Sequence, residues 1–239
     1  MVTNLINNME VKTPTVAQLK QAILTPLRST EWWLKLRMYL GSGEFDKVLQ
    51  TLLDDIQNGY RVTPIFRNMF RCFLECPFEQ TKVIWYCEEL APFVGRHTGL
   101  AYDCSGRNRA DNQLKAIHTE LVATIPGSKP RNSLDHWAEQ GVLLLTSELT
   151  TTIDVKRAHV ELWKSWNNTL FDVFRHDLKD CVFVFIGESV HHWADRLHPD
   201  SVIFKVGIPN KNYPANWGTN IFNLTNMELI KKNKKPIAW

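Results

Sequence analysis

No stretch of this 239-residue chain approaches the roughly 20 consecutive apolar residues that a membrane span requires. The opening MVTNLINNMEVKT lacks the basic start and apolar run of a secretory signal. The expectation is a cytoplasmic protein without a membrane partner. Neither sign of charge dominates: 28 Lys and Arg stand against 25 Asp and Glu, and the net charge of +3 permits contact with a polyanion without requiring it. Cysteine is scarce and odd in number. Cys72, Cys76, Cys87, Cys104 and Cys181 do not form a fully paired disulfide framework, and most fall in apolar patterns, which suits reduced thiols. Cys72 and Cys76 stand four apart, as two ligands on one helix face would. No second pair completes a zinc or iron–sulfur set, so buried thiols are expected, with no metal and no cofactor. Gly and Pro, 11 of each, nowhere concentrate into a linker, and no repeat or low-complexity tract appears. The pattern predicts a polar lead-in over 1–15 and one domain over 16–239.

What is present is an ordinary globular balance, 44% hydrophobic and 22% charged, with nine tryptophans that read as core and interface anchors. Helices are expected over 16–27, over 29–40 with Ser29 or Thr30 as N-cap, and over 44–57. In the last of these, Phe45, Val48, Leu49, Leu52, Leu53 and Ile56 share one face. The spacing of Ile65, Phe66, Met69, Phe70 and Phe73 predicts another helix over 64–74. Further helices are expected over 111–123, 158–176 and 189–197.

Between the helical segments lie four short apolar runs: 82–87 (KVIWYC), 142–145 (VLLL), 181–186 (CVFVFI) and the weaker 202–206 (VIFKV). Such runs suit strands buried on both faces. Their alternation with helices predicts an α/β fold with a central, mostly parallel four-stranded sheet flanked by helices. Ligands of such sheets sit at the carboxyl ends of the strands. The segments after Cys87, Leu145, Ile186 and Val206 are therefore the places to seek a site.

Three segments, KVIWYCEELAPFVGRHTGLAY at 82–102, QGVLLLTSELT at 140–150 and the closing KKNKKPIAW, resemble in that order the monofunctional uracil-DNA glycosylases of family 1. Lys82, Val83, Gly95, Gly99, Leu100 and Ala101 match the family's catalytic segment without a gap. Trp137, Ala138, Gln140 and the VLLL run match a second block, 182–187 resembles the third strand, and PIAW resembles the family's ending PIDW. The resemblance spans about 31–239 and implies a uracil-DNA glycosylase-like fold.

The functional positions depart from the family pattern. Where the family carries GQDPYH, this chain reads Cys87-Glu88-Glu89-Leu90-Ala91-Pro92. By the resemblance, the water-orienting Asp becomes Glu89, one methylene longer, and the Tyr that excludes the thymine methyl becomes Ala91. Glu88 falls where a related glycosylase family has the Glu of GEAPG. The Phe that stacks on the flipped base becomes Tyr102. The Asn whose amide reads the uracil edge becomes Thr146, which cannot supply a paired donor and acceptor. In place of the family's HPSP loop stand Gly207, Ile208, Pro209, Asn210, Lys211 and Asn212, with no donor from Gly207 or Ile208. Loss of a preorganised donor to a developing anion typically costs about 2.7–4 kcal/mol. The serines that pinch DNA phosphates fall at Gln113, at Glu188 or its neighbour Ser189, and at Asn210, with Lys211 and Asn212 adjoining.

These departures imply a glycosylase-like protein in which uracil excision is lost or strongly impaired, acting as a structural, assembly or DNA-associated module with DNA or protein partners. The competing expectation is an active glycosylase: Glu88 or Glu89 would direct water, Tyr102 would stack, and the space at Ala91 would admit uracil or a modified pyrimidine. A third reading is DNA binding without chemistry. His97 is a secondary candidate for residual chemistry, the pair His191 and His192 for contact with phosphate or a metal, and Arg107, Arg109 and the lysine-rich 231–235 for contact with phosphate. If the chain is viral, host cytoplasm or the virion is the expected setting.

Overall fold

The computed structural model describes residues 13–88, 97–105, 110–209 and 217–239. Along them run α1 (Val16–Leu24), α2 (Glu31–Leu40), α3 (Gly43–Gln57), β1 (Val62–Thr63), α4 (Arg71–Glu75), β2 (Val83–Cys87), α5 (Asn112–Thr124), α6 (Asp135–Ala138), β3 (Val142–Thr146), β4 (Thr151–Thr152), α7 (Lys164–Asp177), β5 (Val182–Ile186), β6 (Val202–Val206) and α8 (Ile221–Lys231). The main sheet has the order β3-β2-β5-β6 and every pairing is parallel. The expected α/β class and four-stranded sheet are present. β1 and β4 add a small antiparallel ribbon that the sequence pattern did not suggest.

All residues of β2 and β5 are buried, as continuous apolar runs require when helices cover both faces. On one face Trp85 meets Trp137, Trp217, Phe222 and Trp239. On the other, Tyr86 meets Phe171 and Trp193. Trp166 extends that side into α2 and α4 through Tyr39, Phe70 and Phe73. Every tryptophan but the half-buried Trp33 lies in the core, so these rings act as anchors. The tail is fastened by side-chain amides: Gln140 exchanges two hydrogen bonds with the Ala238 backbone, and Asn226 does the same with Ile237.

The helices depart from expectation in instructive places. The 16–27 helix ends at Leu24, and Thr25–Ser29 continues as a 3-10 turn with Pro26 near its start. Proline cannot donate the bond that would carry the α-helix through this point. The 64–74 helix is absent; a 3-10 turn at Phe66–Asn68 precedes a short α4. Ile65 is exposed while Met69, Phe70, Cys72, Phe73 and Cys76 are buried, so the apolar spacing served packing and not one helical face. The 158–176 helix starts only at Lys164, because the buried His159 is turned inward to Thr150, Thr152 and Asp55. The 189–197 segment is a 3-10 helix, Glu188–Arg196, whose Val190 and Trp193 stack at its three-residue period. Thr30 does cap α2, and Ile56 of α3 is partly exposed rather than core. All five cysteines are buried and none is in a disulfide.

Candidate functional site

The in-register ends of the four strands define the site. Cys87 lies beside Thr146 and Ile186, and Ile186 lies beside Val206. Immediately beyond them, backbone bonds draw the loops together. Ser147 N–H donates to the Cys87 carbonyl at 2.8 Å, Glu88 N–H to Ile186 at 2.9 Å and Gly187 N–H to Val206 at 2.9 Å.

Glu88 is held in this junction. Its carboxylate accepts from the Ser189 hydroxyl at 2.9 Å and from the Ser189 N–H at 3.4 Å. Its carbonyl accepts from the Ser147 hydroxyl at 3.0 Å. Gly187 makes room for it: at φ +102°, a Cβ would come within 2.3 Å of Glu88 Oε2. Glu88 and Ser189, assigned separate roles by the sequence, thus bind each other across the ends of β2 and β5.

Thr146 donates its hydroxyl to the Glu148 carbonyl at 2.7 Å. With its single proton spent inside its own loop, it can offer a ligand only an acceptor lone pair.

Tyr102 is half-buried and sits at φ +62°, a conformation that L residues hold only when their surroundings enforce it. The enforcement is visible. Ala101 N–H bonds to Leu144 of β3, and the adjacent Asp103 is fully buried. Asp103 accepts from Arg71, from the Ser105 hydroxyl and from Leu134 N–H. Arg71 also pairs with Glu75 and Asp135 and donates to the Thr98 carbonyl. The Tyr102 hydroxyl shares a hydrogen bond with the Cys87 thiol. Burial pushes both groups well above their ordinary pKa values; the Cys87 and Glu88 charges raise Tyr102 further, while for Cys87 the hydrogen bond from Tyr102 lowers the value and the Glu88 charge raises it. Both remain protonated at neutral pH.

Gly207 and Ile208 lie exposed past β6, and Pro209 is buried. The Trp217 indole donates to the Gly207 carbonyl at 2.9 Å. Gln113 occupies the first turn of α5, behind the Asp111 cap, at the end of that helix nearest Tyr102. Glu89, Ala91, Asn210, Lys211 and Asn212, with Leu90, Phe93, Arg107 and Arg109, lie outside the described residues.

A cleft of about 160 Å³ adjoins the junction, lined in part by Ser147, Ser189, His192, Arg157, Lys164 and Asn167. Asn167 is buried and donates to the Ser147 carbonyl at 2.6 Å. Lys164 pairs with Glu161 at the rim. Sequence reasoning missed Arg157, Lys164 and Asn167; only the structure brings α7 against the ends of β3 and β5. The second histidine of the pair, His192, faces this cleft, while His191 bonds to the Val206 carbonyl. Among the described residues no three His, Cys, Asp or Glu side chains gather as a metal site.

Comparison with known proteins places this geometry. Over 226 residues the chain is 26% identical to the uracil-DNA glycosylase of Lactococcus lactis subsp. cremoris, covering 89% of this chain and 99% of that protein. Over 209 residues it is 27% identical to the uracil-DNA glycosylase of Salmonella arizonae, covering 82% and 88%. The chain is a homologue of the uracil-DNA glycosylases. The crystal structure of mimivirus uracil-DNA glycosylase superposes with a TM-score of 0.81 at 21% identity, over 92% of this chain and 88% of that one. A mimivirus variant of that enzyme, Y322F, was crystallised with UGI. The UNG structure from Nitratifractor salsuginis matches at a TM-score of 0.56 and 15% identity, over 92% and 95%. No family model matches the chain. This homologue has the glycosylase fold, and no described helix is long and apolar enough to cross a membrane.

Proposed function

We propose that this glycosylase homologue has lost, or retains only in strongly impaired form, the excision of uracil, and serves as a DNA-associated or assembly module. The observation that carries the reading is the state of the groups at the strand ends. Base excision needs an edge reader, a carboxylate that orients water and a donor to the developing anion on the departing base. At the edge-reading position Thr146 has spent its proton on Glu148. Glu88 is bound to Ser189 instead of facing solvent with a free carboxylate. Gly207 and Ile208 carry no polar side chain. Cys87, at a glycine position of the family motif, fills the strand end with a thiol bonded to Tyr102.

The neighbouring cleft supports the DNA-associated part of the proposal. Arg157, Lys164 and His192 bring nitrogen donors to the rim that Ser147 and Ser189 share, a donor set suited to phosphate oxygens. Glu161 tempers that charge. The experiment is a panel of single-stranded oligonucleotides carrying uracil or 5-substituted pyrimidines, incubated with excess purified chain. No base release is expected. Release that disappears in Glu89→Ala would instead establish the active, altered-specificity reading.

A further inference from the structure

We propose a second polyanion-binding face at the opposite pole of the sheet, built from Lys82, Lys179, Lys232, Lys234 and Lys235 and fitted to the phosphate backbone of a nucleic acid. The residues come from three separated parts of the chain. Lys82 precedes β2, Lys179 lies in the turn before β5, and Lys232, Lys234 and Lys235 follow α8. The fold gathers them. The Lys82 ammonium donates to the Lys235 carbonyl at 2.8 Å, and Lys234 donates to the Asp180 carbonyl at 2.9 Å. Val182 N–H bonds to the Lys82 carbonyl, and the Cys181 thiol bonds to Thr81, which closes the turn against the strand start.

The Lys82 and Lys234 ammonium groups are anchored on backbone carbonyls. Among the described residues none of the five holds a carboxylate partner, whereas Lys20, Lys35, Lys47, Lys164, Lys205 and Lys231 all do. The acidic neighbours are few: Asp180 lies in the turn, and Glu228 is already paired with Lys231. The cluster is held against its own repulsion. Partial burial, and then the charges of Lys235 and Lys234, lower the pKa of Lys82. The α8 dipole accounts for cations at its last turn, Lys231 and Lys232. It does not account for Lys82 or Lys179 on other elements, or for Lys234 and Lys235 beyond the helix.

Duplex DNA supplies a dense row of phosphates, and each one neutralised releases counterions. A face of unpaired lysines at the amino ends of the strands engages such a row independently of the carboxyl-end site, so the protein can hold two segments at once. The inference does not rest on whether any base is excised.

The test uses the full chain and a short fluorescein-labelled duplex without uracil, titrated by anisotropy at a series of salt concentrations. The variant K179Q/K232Q/K234Q/K235Q is compared with wild type and with Lys47→Gln, and thermal melting confirms that each is folded. Lys82 is left intact because it also ties down the tail. The quadruple variant is expected to lower the slope of log affinity against log salt by about 3 to 4, since each phosphate contact contributes about 0.9. Lys47→Gln, on α3 and already paired with Glu44, is expected to leave the slope unchanged. A second arm mixes donor- and acceptor-labelled duplexes, and energy transfer with wild type but not with the quadruple variant is the expected sign of two faces. An unchanged slope in the variant overturns the proposal, as does wild-type binding to anionic vesicles with no binding to the duplex.

Discussion

Glu88 illustrates how one residue changes meaning between a string and a fold. By motif position it is a candidate to direct water; in space its carboxylate ties the ends of β2 and β5 through Ser189, with Gly187 yielding the room. If it is a clamp, Glu88→Ala should lower unfolding free energy by about 1.5–3 kcal/mol, the range for hydrogen bonds to charged groups. Ser189→Ala should lose part of the same increment, and a double-mutant cycle by denaturant melts should show the two losses to be coupled. Independent, additive losses would dissolve the clamp. Asp103 acts at a distance on the same site. It has no exposed side-chain surface and faces Arg71, so Asp103→Ala removes one of the three carboxylates paired with Arg71 and the acceptor of the Leu134 N–H, and should cost about 1.5–3 kcal/mol. Equilibrium unfolding in urea would measure it, with Glu75→Ala, on the exposed side of the same arginine, as the mild control. The sequence displayed Arg71 and Asp103 but gave no reason to join them, because ion pairs 32 residues apart carry no periodic signal.

At the level of elements, the strands were legible and several helix boundaries were not. The runs KVIWYC and CVFVFI are short, apolar and rich in β-branched and aromatic residues, VLLL is short and wholly aliphatic, and burial on both faces left them no other role. The 64–74 helix misled because Met69, Phe70 and Phe73 satisfy helical spacing yet pack around a 3-10 turn. The sequence pattern also gave no helix at 221–231. Its entry is held by Glu120, buried on α5, whose carboxylate accepts from Gly218 and Asn220 N–H groups and from the Thr219 hydroxyl. That clamp, with the Trp217–Gly207 bond, fixes the downstream base of the loop after β6. Glu120→Gln replaces two charge-assisted acceptor sites with one neutral oxygen and a donor that faces N–H groups. It should destabilise the chain and raise amide exchange at 218–220 above that in the centre of α8; equal protection in both places would contradict the clamp.

Across the whole molecule, stability should depend on pH in a definite direction. Burial lowers the pKa values of His118 and His136 below the ordinary imidazole value. Between the folded and unfolded values the unfolded chain binds more protons, so stability is full above about pH 6.5 and declines as pH falls through that window. The melting temperature should drop from neutral toward mildly acidic pH, and the drop should be shallower in His118→Gln; an identical slope would remove that histidine from the account. The five thiols, all buried, should resist an aromatic disulfide reagent in the native state and react in denaturant. The fold was readable at this scale because interior residues are constrained by packing. The site was readable only as a series of departures from a family motif, since what Thr146, Glu88 and Tyr102 do instead depends on partners that only three dimensions supply. The most direct measurement is a single-turnover time course of uracil release from single-stranded DNA with the purified full chain in excess. Release indistinguishable from that without protein is predicted, and rapid, complete release would contradict the account.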